Sequence, residues 1–252
     1  MPSEASLPSD LCRVAIVGTL RREIGPLVRR LLDRRVTRAG GQRFLEGQLA
    51  GGEVVMTATG GGATLARRGV EALLDRFPVD RMLAVGVAGG LTPDLDVGTV
   101  VVARQVWNGA AAVPPPEESW LEAVLERTAA VEATVVNSER IAGDPTTKAD
   151  LWRLAGGEGS AAVDLESAAF ARAAAAHGLP YLVIRAISDT ADETLPLDFD
   201  RFRDQDGRIV ESKVLLHALM RPRLLRPLLR LRGQVRDCAE SLAEVAEEAL
   251  RR

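Results

Sequence analysis

Short apolar runs of strand length alternate with segments of helical periodicity along most of this chain. The runs are rich in Val, Ile and Ala and end in glycine or polar residues, which is typical of buried strands. They predict strands at 13–20, 53–59, 81–90, 98–107, 132–140 and 181–187. The alternation predicts an α/β fold in which helices cover both faces of a largely parallel sheet.

Helical periodicity fills the intervals between most of these strands. It predicts helices at 24–32, 63–77, 120–130 and 165–177. Three prolines predict a loop at 113–119. No repeat or low-complexity linker divides the chain. We therefore expect one domain over 1–252, with a polar tail at 1–12 and a helical segment at 213–252.

Composition narrows the functional classes. The net charge of −3 offers no basic field for nucleic acid, and aromatic residues at 4% leave few platforms for stacked bases. No apolar stretch reaches the ~18–20 residues that span a bilayer, and the N-terminus lacks a secretory pattern. Cys12 and Cys238, the only cysteines, show no metal or redox spacing. We expect a soluble, cytoplasmic protein.

Motifs for metals and cofactors are missing from the sequence. His177 and His217 are the only histidines, and His177 falls at a predicted helix end, so a triad or metal site is not expected. The glycine stretches match neither G-x-G-x-x-G nor G-x-x-x-x-G-K-[ST]. We expect no metal and no cofactor.

Polar and glycine residues follow several predicted strands. In parallel α/β sheets, ligands bind outside the carboxyl ends of the strands. This rule places on one edge Glu23, Thr59–Gly62, Val87–Gly90, Ser138–Ile141 and Asp189.

Three acids stand out because they interrupt apolar surroundings. Asp164 and Glu166 lie at the entry to a predicted helix, and Asp189 follows a buried strand. Burial raises the pKa of a carboxyl in the position of Asp189, which keeps a proton available for donation. The alternatives are structural: Asp189 as a turn cap, Glu166 as an acid favourable to a helix dipole, and Asp164 as a helix N-cap.

Three segments together resemble the purine nucleoside phosphorylase and methylthioadenosine/S-adenosylhomocysteine nucleosidase superfamily. They are "VGTLRREI" (17–24), "VGVAGGLTPDLDVGTVVVA" (85–103) and "VDLES…VIRAISDTAD" (163–192). The block "NSERIAGDPTTKADLW" (137–152) and the tail after Asp192 resemble most the hopanoid-associated branch, which removes adenine from an adenosylated hopanoid lipid. The resemblance implies a three-layer α/β/α sandwich of the nucleoside phosphorylase type, a purine nucleoside substrate and a homodimer whose sites are completed across subunits.

The resemblance also implies roles for the acids. The acid matching Glu166 hydrogen-bonds ribose hydroxyls, Asp189 faces purine N7 and protonates it, and Glu23 orients the attacking water. Leu165 packs under the sugar where relatives usually have methionine, and the backbone of 140–142 borders the base, without the aromatic residue often found there. The implied substrate-binding residues are Thr59, Val87, Ala88, Gly89, Arg140, Ile141, Leu165 and Ser188.

Water is the nucleophile that the sequence favours. Phosphorylases of this superfamily hold phosphate with an arginine and a hydroxyl residue, where this chain has Ala84 and Val87. Thr59, the amides of Gly60–Gly62 and the pair Arg21-Arg22 remain an alternative anion site. A phosphate-dependent phosphorylase, a methylthioadenosine/S-adenosylhomocysteine nucleosidase and a non-catalytic nucleoside-binding protein therefore stay open.

The segment Lys213–Arg236 carries one lysine, six arginines and no acid, interleaved with leucines. The chain from 212 onward predicts helix, with breaks at Pro222, Pro227 and Gly233. A basic amphipathic helix can lie in the headgroup layer, which would suit a lipid-tailed nucleoside at the inner membrane surface. The alternative, favoured by the prolines, is that the leucines pack on the domain or on a dimer partner.

Overall fold

A computed structural model describes residues 12–109, 113–204 and 209–251 of this protein. Its strands are β1 Arg13–Gly18, β2 Leu32–Ala39, β3 Gln42–Leu49, β4 Gly52–Ala58, β5 Arg81–Gly90, β6 Val100–Trp107, β7 Val131–Asn137, β8 Ala161–Asp164 and β9 Tyr181–Asp189. Its α-helices are α1 Gly25–Arg30, α2 Ala63–Leu74, α3 Glu118–Arg127, α4 Pro145–Leu154, α5 Ser167–Ala176, α6 Glu211–Leu219 and α7 Leu225–Leu250. Most of the predicted polar tail, residues 1–11, lies outside the described residues.

The strands form one nine-stranded mixed sheet in the order β2-β3-β4-β1-β5-β8-β7-β6-β9. Strands β4, β1, β5 and β9 are parallel, whereas β6 pairs antiparallel with β9 and β8 pairs antiparallel with β5. Because β9 also pairs with β5, five of the strands close into a ring. The expected largely parallel sheet of an α/β fold is confirmed, with antiparallel pairs that make it a mixed sheet.

Helices pack on both faces of the sheet in two separate apolar clusters. One cluster joins α1, α3 and α7 to the sheet, through residues such as Leu27, Trp120 and Leu242. The other joins α2 and α5 to the opposite face, through Val70, Leu73 and Phe170. This arrangement confirms the three-layer α/β/α fold class, since apolar strands need cover on both faces.

The hairpin strands β2 and β3 were absent from the sequence prediction, and the predicted helix through residue 32 was too long. Helix α1 ends at Arg30, and β2 begins at Leu32. Six of the eight residues of β2 are exposed, so this edge strand has no apolar pattern to detect. The signal that remains is Gly40-Gly41, both with positive φ, which forms a two-residue hairpin turn.

Two further elements, β8 and α4, were also absent from the prediction. The four residues of β8 are all buried, but so short a run cannot be distinguished in the sequence from the helix that follows. Helix α5 itself begins at Ser167, two residues later than predicted. Asp144 is the N-cap of α4, and its side chain accepts from the Thr147 amide at 3.0 Å. Pro145 is the first residue of the helix. An aspartate N-cap followed by proline is a recognised helix start.

The predicted break at Pro222 coincides with a 3₁₀ turn, Pro222–Leu224, between α6 and α7. The predicted breaks at Pro227 and Gly233 were wrong, because α7 runs unbroken from Leu225 to Leu250. Pro227 lies in the first turn of α7, where its missing N–H would have no partner within the helix. A single glycine costs a helix only about 1 kcal/mol, which tertiary packing overrides at Gly233.

The parallel strands bring four carboxyl ends to one edge. The segments that follow β1, β4, β5 and β9 therefore lie close together, as expected for the site. Strands β6 to β8 run the other way, so this rule does not explain the position of Ser138. Ser138 lies beside Asp164 because β7 and β8 end side by side, and its amide donates to Asp164 O at 2.8 Å.

We expect truncation of Leu242 to alanine to lower the free energy of unfolding by about 2–5 kcal/mol, because it removes a large side chain from a packed core. Leu242 is fully buried against the sheet, whereas Leu229, on the same helix, is 64% exposed. The matched variant Leu229→Ala should change stability by no more than about 0.5 kcal/mol. Urea denaturation of both variants measures the difference. Equal losses would contradict the docking of the second half of α7 on the sheet.

Candidate active site

Glu166 lies at the start of α5, but its side chain serves a different helix. Its Oε1 accepts from the amide of Gly62 at 2.7 Å, and Gly62 is the N-cap of α2. Gly62 has a φ of 93°, which a residue with a side chain rarely adopts. The expectation that Glu166 merely complements the dipole of α5 is therefore incomplete, since its bond is to the N-terminus of α2.

Burial sets the ionisation of Glu166. Desolvation, reinforced by the nearby charge of Asp164, raises its pKa to about 7, while the Gly62 amide opposes the shift. Glu23 adds to the rise and Arg185 opposes it. A carboxyl with a pKa near 7 exchanges its proton at physiological pH, which is typical of functional sites.

Glu23 follows β1 and is 3% exposed. Its Oε2 accepts from the amides of Thr19 at 3.0 Å and Leu20 at 2.8 Å. Burial raises its pKa, against the lowering effect of the Leu20 amide and the charge of Arg185. The amides fix one oxygen of the carboxyl.

An ion pair between Asp164 and Arg185 lies beside these two acids. Arg185 Nε donates to Asp164 Oδ2 at 2.8 Å, and both side chains are almost completely buried. Ser167 joins them: its hydroxyl donates to Asp164 at 2.6 Å and accepts from Arg185 Nη2 at 2.8 Å. A Cβ atom on Gly86 would lie 3.6 Å from both Arg185 Cζ and Glu23 Oε2, so glycine leaves room for both groups.

The alternative that Asp164 is the N-cap of α5 was wrong, because Glu166 occupies that position. The Oδ1 atom of Asp164 accepts from the Ser167 amide at 3.2 Å, as an N-terminal cap would, while Oδ2 holds Arg185. Together Glu23, Glu166, Asp164 and Arg185 place three acids around one guanidinium in a buried site. Such an excess of buried negative charge is costly unless one acid keeps its proton, and it favours a cationic ligand group.

Asp189 ends β9 and is also paired. Its Oδ1 accepts from the Ser188 hydroxyl at 2.7 Å, and its Oδ2 accepts from Lys148 Nζ at 2.6 Å. The carboxyl is therefore buried, as expected, and it is also paired with a buried cation that the sequence did not predict. A Cβ atom on Gly89 would lie 3.0 Å from Asp189 Oδ2, so the absence of a side chain there makes space for the carboxylate.

The loop after β7, which was predicted to border the base, contacts a 3₁₀ segment of the chain. The Ile141 amide donates to Asp200 Oδ2 at 3.1 Å, and the exposed Arg140 side chain donates to the same oxygen at 3.3 Å. Asp200 belongs to the 3₁₀ segment Phe199–Phe202. The loop and this segment are thus joined, and Ser138 connects the loop to Asp164.

The other predicted binding residues differ in accessibility. Thr59 is buried, and its hydroxyl donates to backbone oxygens of Gly18 at 3.3 Å and Gly60 at 3.1 Å. Ala88 is buried and its carbonyl accepts from Ser188. Val87, Gly89 and Leu165 are half-buried, so each keeps part of its surface accessible.

The structure adds residues that the sequence prediction did not assign to the site: Lys148, Arg185 and Asp200. Arg185 had a detectable signal, since a single arginine inside the apolar run "YLVIRAIS" needs a buried partner. Lys148 had none, because lysine in the first turns of a short polar helix is ordinary. The ion pair of Lys148 depends on the fold, which brings the end of β9 against this side chain.

Glu166 should make stability depend on pH. Its folded pKa of about 7 lies above the ordinary glutamate value of 4.5, so the folded state binds the proton more tightly. Its stabilising contribution is therefore complete below pH 4.5 and is lost as the pH rises towards 7. Urea denaturation from pH 5 to 8 should show the variant Glu166→Gln gaining stability relative to the wild type as the pH rises. The exposed control Glu158→Gln should show a constant difference, and a constant difference for Glu166→Gln would contradict the prediction.

The family model of the phosphorylase superfamily matches residues 13–219. A 5′-methylthioadenosine/S-adenosylhomocysteine nucleosidase of Exiguobacterium sp. is 31% identical over 212 residues, which cover 75% of this chain and 90% of the relative. The protein of the same name from Shewanella halifaxensis is 27% identical over 232 residues, covering 83% and 99%.

Solved structures show the same fold at lower identity. The 5′-methylthioadenosine/S-adenosylhomocysteine nucleosidase of Streptococcus pneumoniae, with a transition-state inhibitor, has a TM-score of 0.74 at 20% identity and covers 94% of this chain and 98% of that one. Futalosine hydrolase of Helicobacter pylori has a TM-score of 0.74 at 19% identity, covering 95% and 97%. The match over 13–219 and the relative at 31% identity confirm the resemblance first given by the sequence segments. The chain belongs to the phosphorylase superfamily.

Proposed function

We propose that this protein is a nucleosidase that hydrolyses the N-glycosidic bond of an adenosine-type nucleoside and releases adenine. The observation that carries the proposal is the presence of three buried acids, Glu23, Glu166 and Asp189, around one edge of the sheet. Relatives named nucleosidases support it. A protein that only binds a nucleoside would have no need for three desolvated carboxyls, each costly to bury.

The acids divide the reaction between them. Asp189 gives its proton to purine N7 while the electron pair of the glycosidic bond leaves with the purine, so that adenine departs neutral. Positive charge develops on the ribosyl carbon, and the surrounding excess of carboxylates stabilises it. Glu166 hydrogen-bonds the ribose hydroxyls. Water held by Glu23 adds to the ribosyl carbon and transfers a proton to that carboxylate.

Water is favoured over phosphate as the nucleophile because the donors of the alternative anion site have other partners. The Gly62 amide binds Glu166 at 2.7 Å, and the Thr59 hydroxyl donates to backbone. Arg22 pairs with Glu211 at 3.1 Å on the surface. The acids Glu23 and Glu166 would also repel an anion from this region.

The finer proposal is that the nucleoside carries a large apolar 5′ group, as in adenosylhopane. The supporting feature is an exposed apolar face on α6, formed by residues 58–76% exposed: Leu215, Leu216, Leu219 and Met220. Helix α6 is joined to the site region, since Glu211 at its start pairs with Arg22, the neighbour of Glu23. A lipid tail leaving the site would find this face next to it.

The methylthioadenosine/S-adenosylhomocysteine nucleosidase activity is the second candidate, supported by the names of the relatives. We further propose that the chain acts as one domain in a homodimer and works in the cytoplasm, with peripheral contact at the inner membrane surface through Lys213–Arg236. No helix within the described ranges is long and apolar enough to cross a membrane.

The wild-type protein should release adenine without phosphate, and Asp189→Asn should lower the rate at least about a hundredfold, the typical contribution of a general acid. The assay uses methylthioadenosine, S-adenosylhomocysteine and a lipid-tailed adenosine, each with and without phosphate. The exposed neighbour Asp192→Asn is the matched control and should keep wild-type activity. Full activity of Asp189→Asn would remove Asp189 from the mechanism, and ribose 1-phosphate as product would make the protein a phosphorylase.

We expect the protein to co-sediment with anionic vesicles at low salt and to be released at high salt, because basic residues near such a surface contribute about 1 kcal/mol each. The double variant Leu215→Asp/Leu219→Asp should lose this binding, since it places charge in the apolar face. Leu154→Asp, on α4 and 67% exposed in the wild type, is the control and should bind normally. Absence of salt-sensitive binding, with methylthioadenosine preferred over the lipid-tailed nucleoside, would leave the second candidate.

A further inference from the structure

We propose that Lys148 is a positioning residue for Asp189. Its buried ammonium holds Oδ2 of the carboxylate and stabilises the charge that remains on Asp189 after the proton has passed to the leaving purine. This inference rests on the proposed nucleosidase function.

The burial of Lys148 is the first observation. Its side chain is completely inaccessible, and it is the buried residue of α4. The only other lysine among the 252 residues is the exposed Lys213. Removing an ammonium from water is costly, and an apolar residue of similar size would pack without that cost. The position therefore calls for an explanation other than packing.

The contacts of Lys148 use all three donors of its ammonium. Nζ donates to Asp189 Oδ2 at 2.6 Å, to the carbonyl oxygen of Thr190 and to that of Glu193 at 3.2 Å. The lysine therefore fixes the carboxylate and the chain that leaves β9 at the same time. The loop is held further by the Leu195 amide, which donates to the Gly143 carbonyl at 2.9 Å.

This geometry gives the two oxygens of Asp189 different tasks. Oδ2 is committed to Lys148, in the space left by Gly89. Oδ1 accepts only the Ser188 hydroxyl among the contacts of the described chain, and a hydroxyl can rotate to serve another partner. Oδ1 is thus the oxygen that can exchange a proton with a bound base.

The charge of Lys148 acts on the chemical step. In the substrate complex the carboxyl takes a proton from solvent, and this proton passes to N7 as the glycosidic electron pair leaves with the purine. The carboxylate left behind lies against the ammonium of Lys148. An interaction that is stronger with the carboxylate than with the neutral acid favours the transition state over the ground state.

Few other titratable groups of the described residues face this pair. On α7, the Cys238 thiol donates to the Ile187 carbonyl, and burial raises the pKa of this thiol to about 11, so it stays neutral. The charge of Lys148 contributes to the lowered pKa of Asp144 and Asp192, after their hydrogen bonds with Thr147 and Thr190, but both carboxyls are solvated. Val163 and Gly89 supply apolar surroundings. The pH response of Asp189 should therefore depend chiefly on Lys148.

The test is the pH dependence of adenine release by Lys148→Met. We expect kcat to fall by about tenfold to a hundredfold, part of the effect of a general acid, with KM changed by less than about threefold. The alkaline limb of the rate profile should move to higher pH, because the carboxyl loses the cation that favours its ionised form. The matched control is Arg153→Met, on the same helix with its side chain 67% exposed, and it should behave as the wild type.

A double-variant cycle separates this role from a purely structural one. If Lys148 acts through Asp189, adding Lys148→Met to Asp189→Asn should lower kcat by less than about twofold further. The melting temperature should fall in each single variant and recover in part in the double variant, because only the single variants leave an unpaired charge buried. Should Lys148→Met not fold, Lys148→Gln retains hydrogen-bond donors without the charge and should show the same shifted limb.

The outcomes are distinct. Wild-type kcat and an unmoved pH profile in Lys148→Met, with Asp189→Asn inactive, would overturn the inference and leave the proposed function intact. The inference would also be overturned if the two losses of kcat multiplied in the double variant, since Lys148 would then act independently of Asp189. A wild-type protein that releases adenine from none of the nucleosides would overturn both.

Discussion

Strand β9 carries a buried cation at Arg185 and a buried anion at Asp189, and each is paired with a residue of another element. Arg185 is held by Asp164 from the end of β8, and Asp189 by Lys148 from α4. Charges this deep in an apolar interior are tolerated only when they are paired and hydrogen-bonded. The two pairs therefore require β8, α4 and β9 to meet in one arrangement, and the ring of strands around them supplies it.

The acids of the site differ because their surroundings differ. Glu166 lies near two other carboxyls, and burial raises its pKa to about 7. Asp189 faces an ammonium at 2.6 Å. The two carboxyls thus meet opposite electrostatic surroundings, Glu166 beside other acids and Asp189 beside a cation. The glycines at 86 and 89 contribute by leaving room for the charged groups.

Helix α7 shows how one element serves two environments. Its second half is buried against the sheet through Cys238, Leu242 and Ala246. Its first half continues the basic segment, with Leu229 and the preceding α6 face open to solvent. The helix therefore anchors a basic, leucine-rich surface to the same layer that supports Asp189. This connection is the structural reason to consider an apolar substrate tail and a membrane surface together.

The sequence by itself determined the three-layer class, six of the strands and the positions of Glu23 and Asp189 after strands, because apolar periodicity and strand-end residues are local properties. It missed the exposed edge strand β2 and the short β8, since neither has a pattern of its own. It also predicted that Asp189 is buried at the end of a strand, but it gave no partner for the carboxyl. Only the tertiary structure supplied that partner, by placing Lys148, 41 residues away in the chain, against the carboxylate. Sequence patterns report which residues are buried, whereas the ionisation of a buried acid depends on the charges that the fold brings to it.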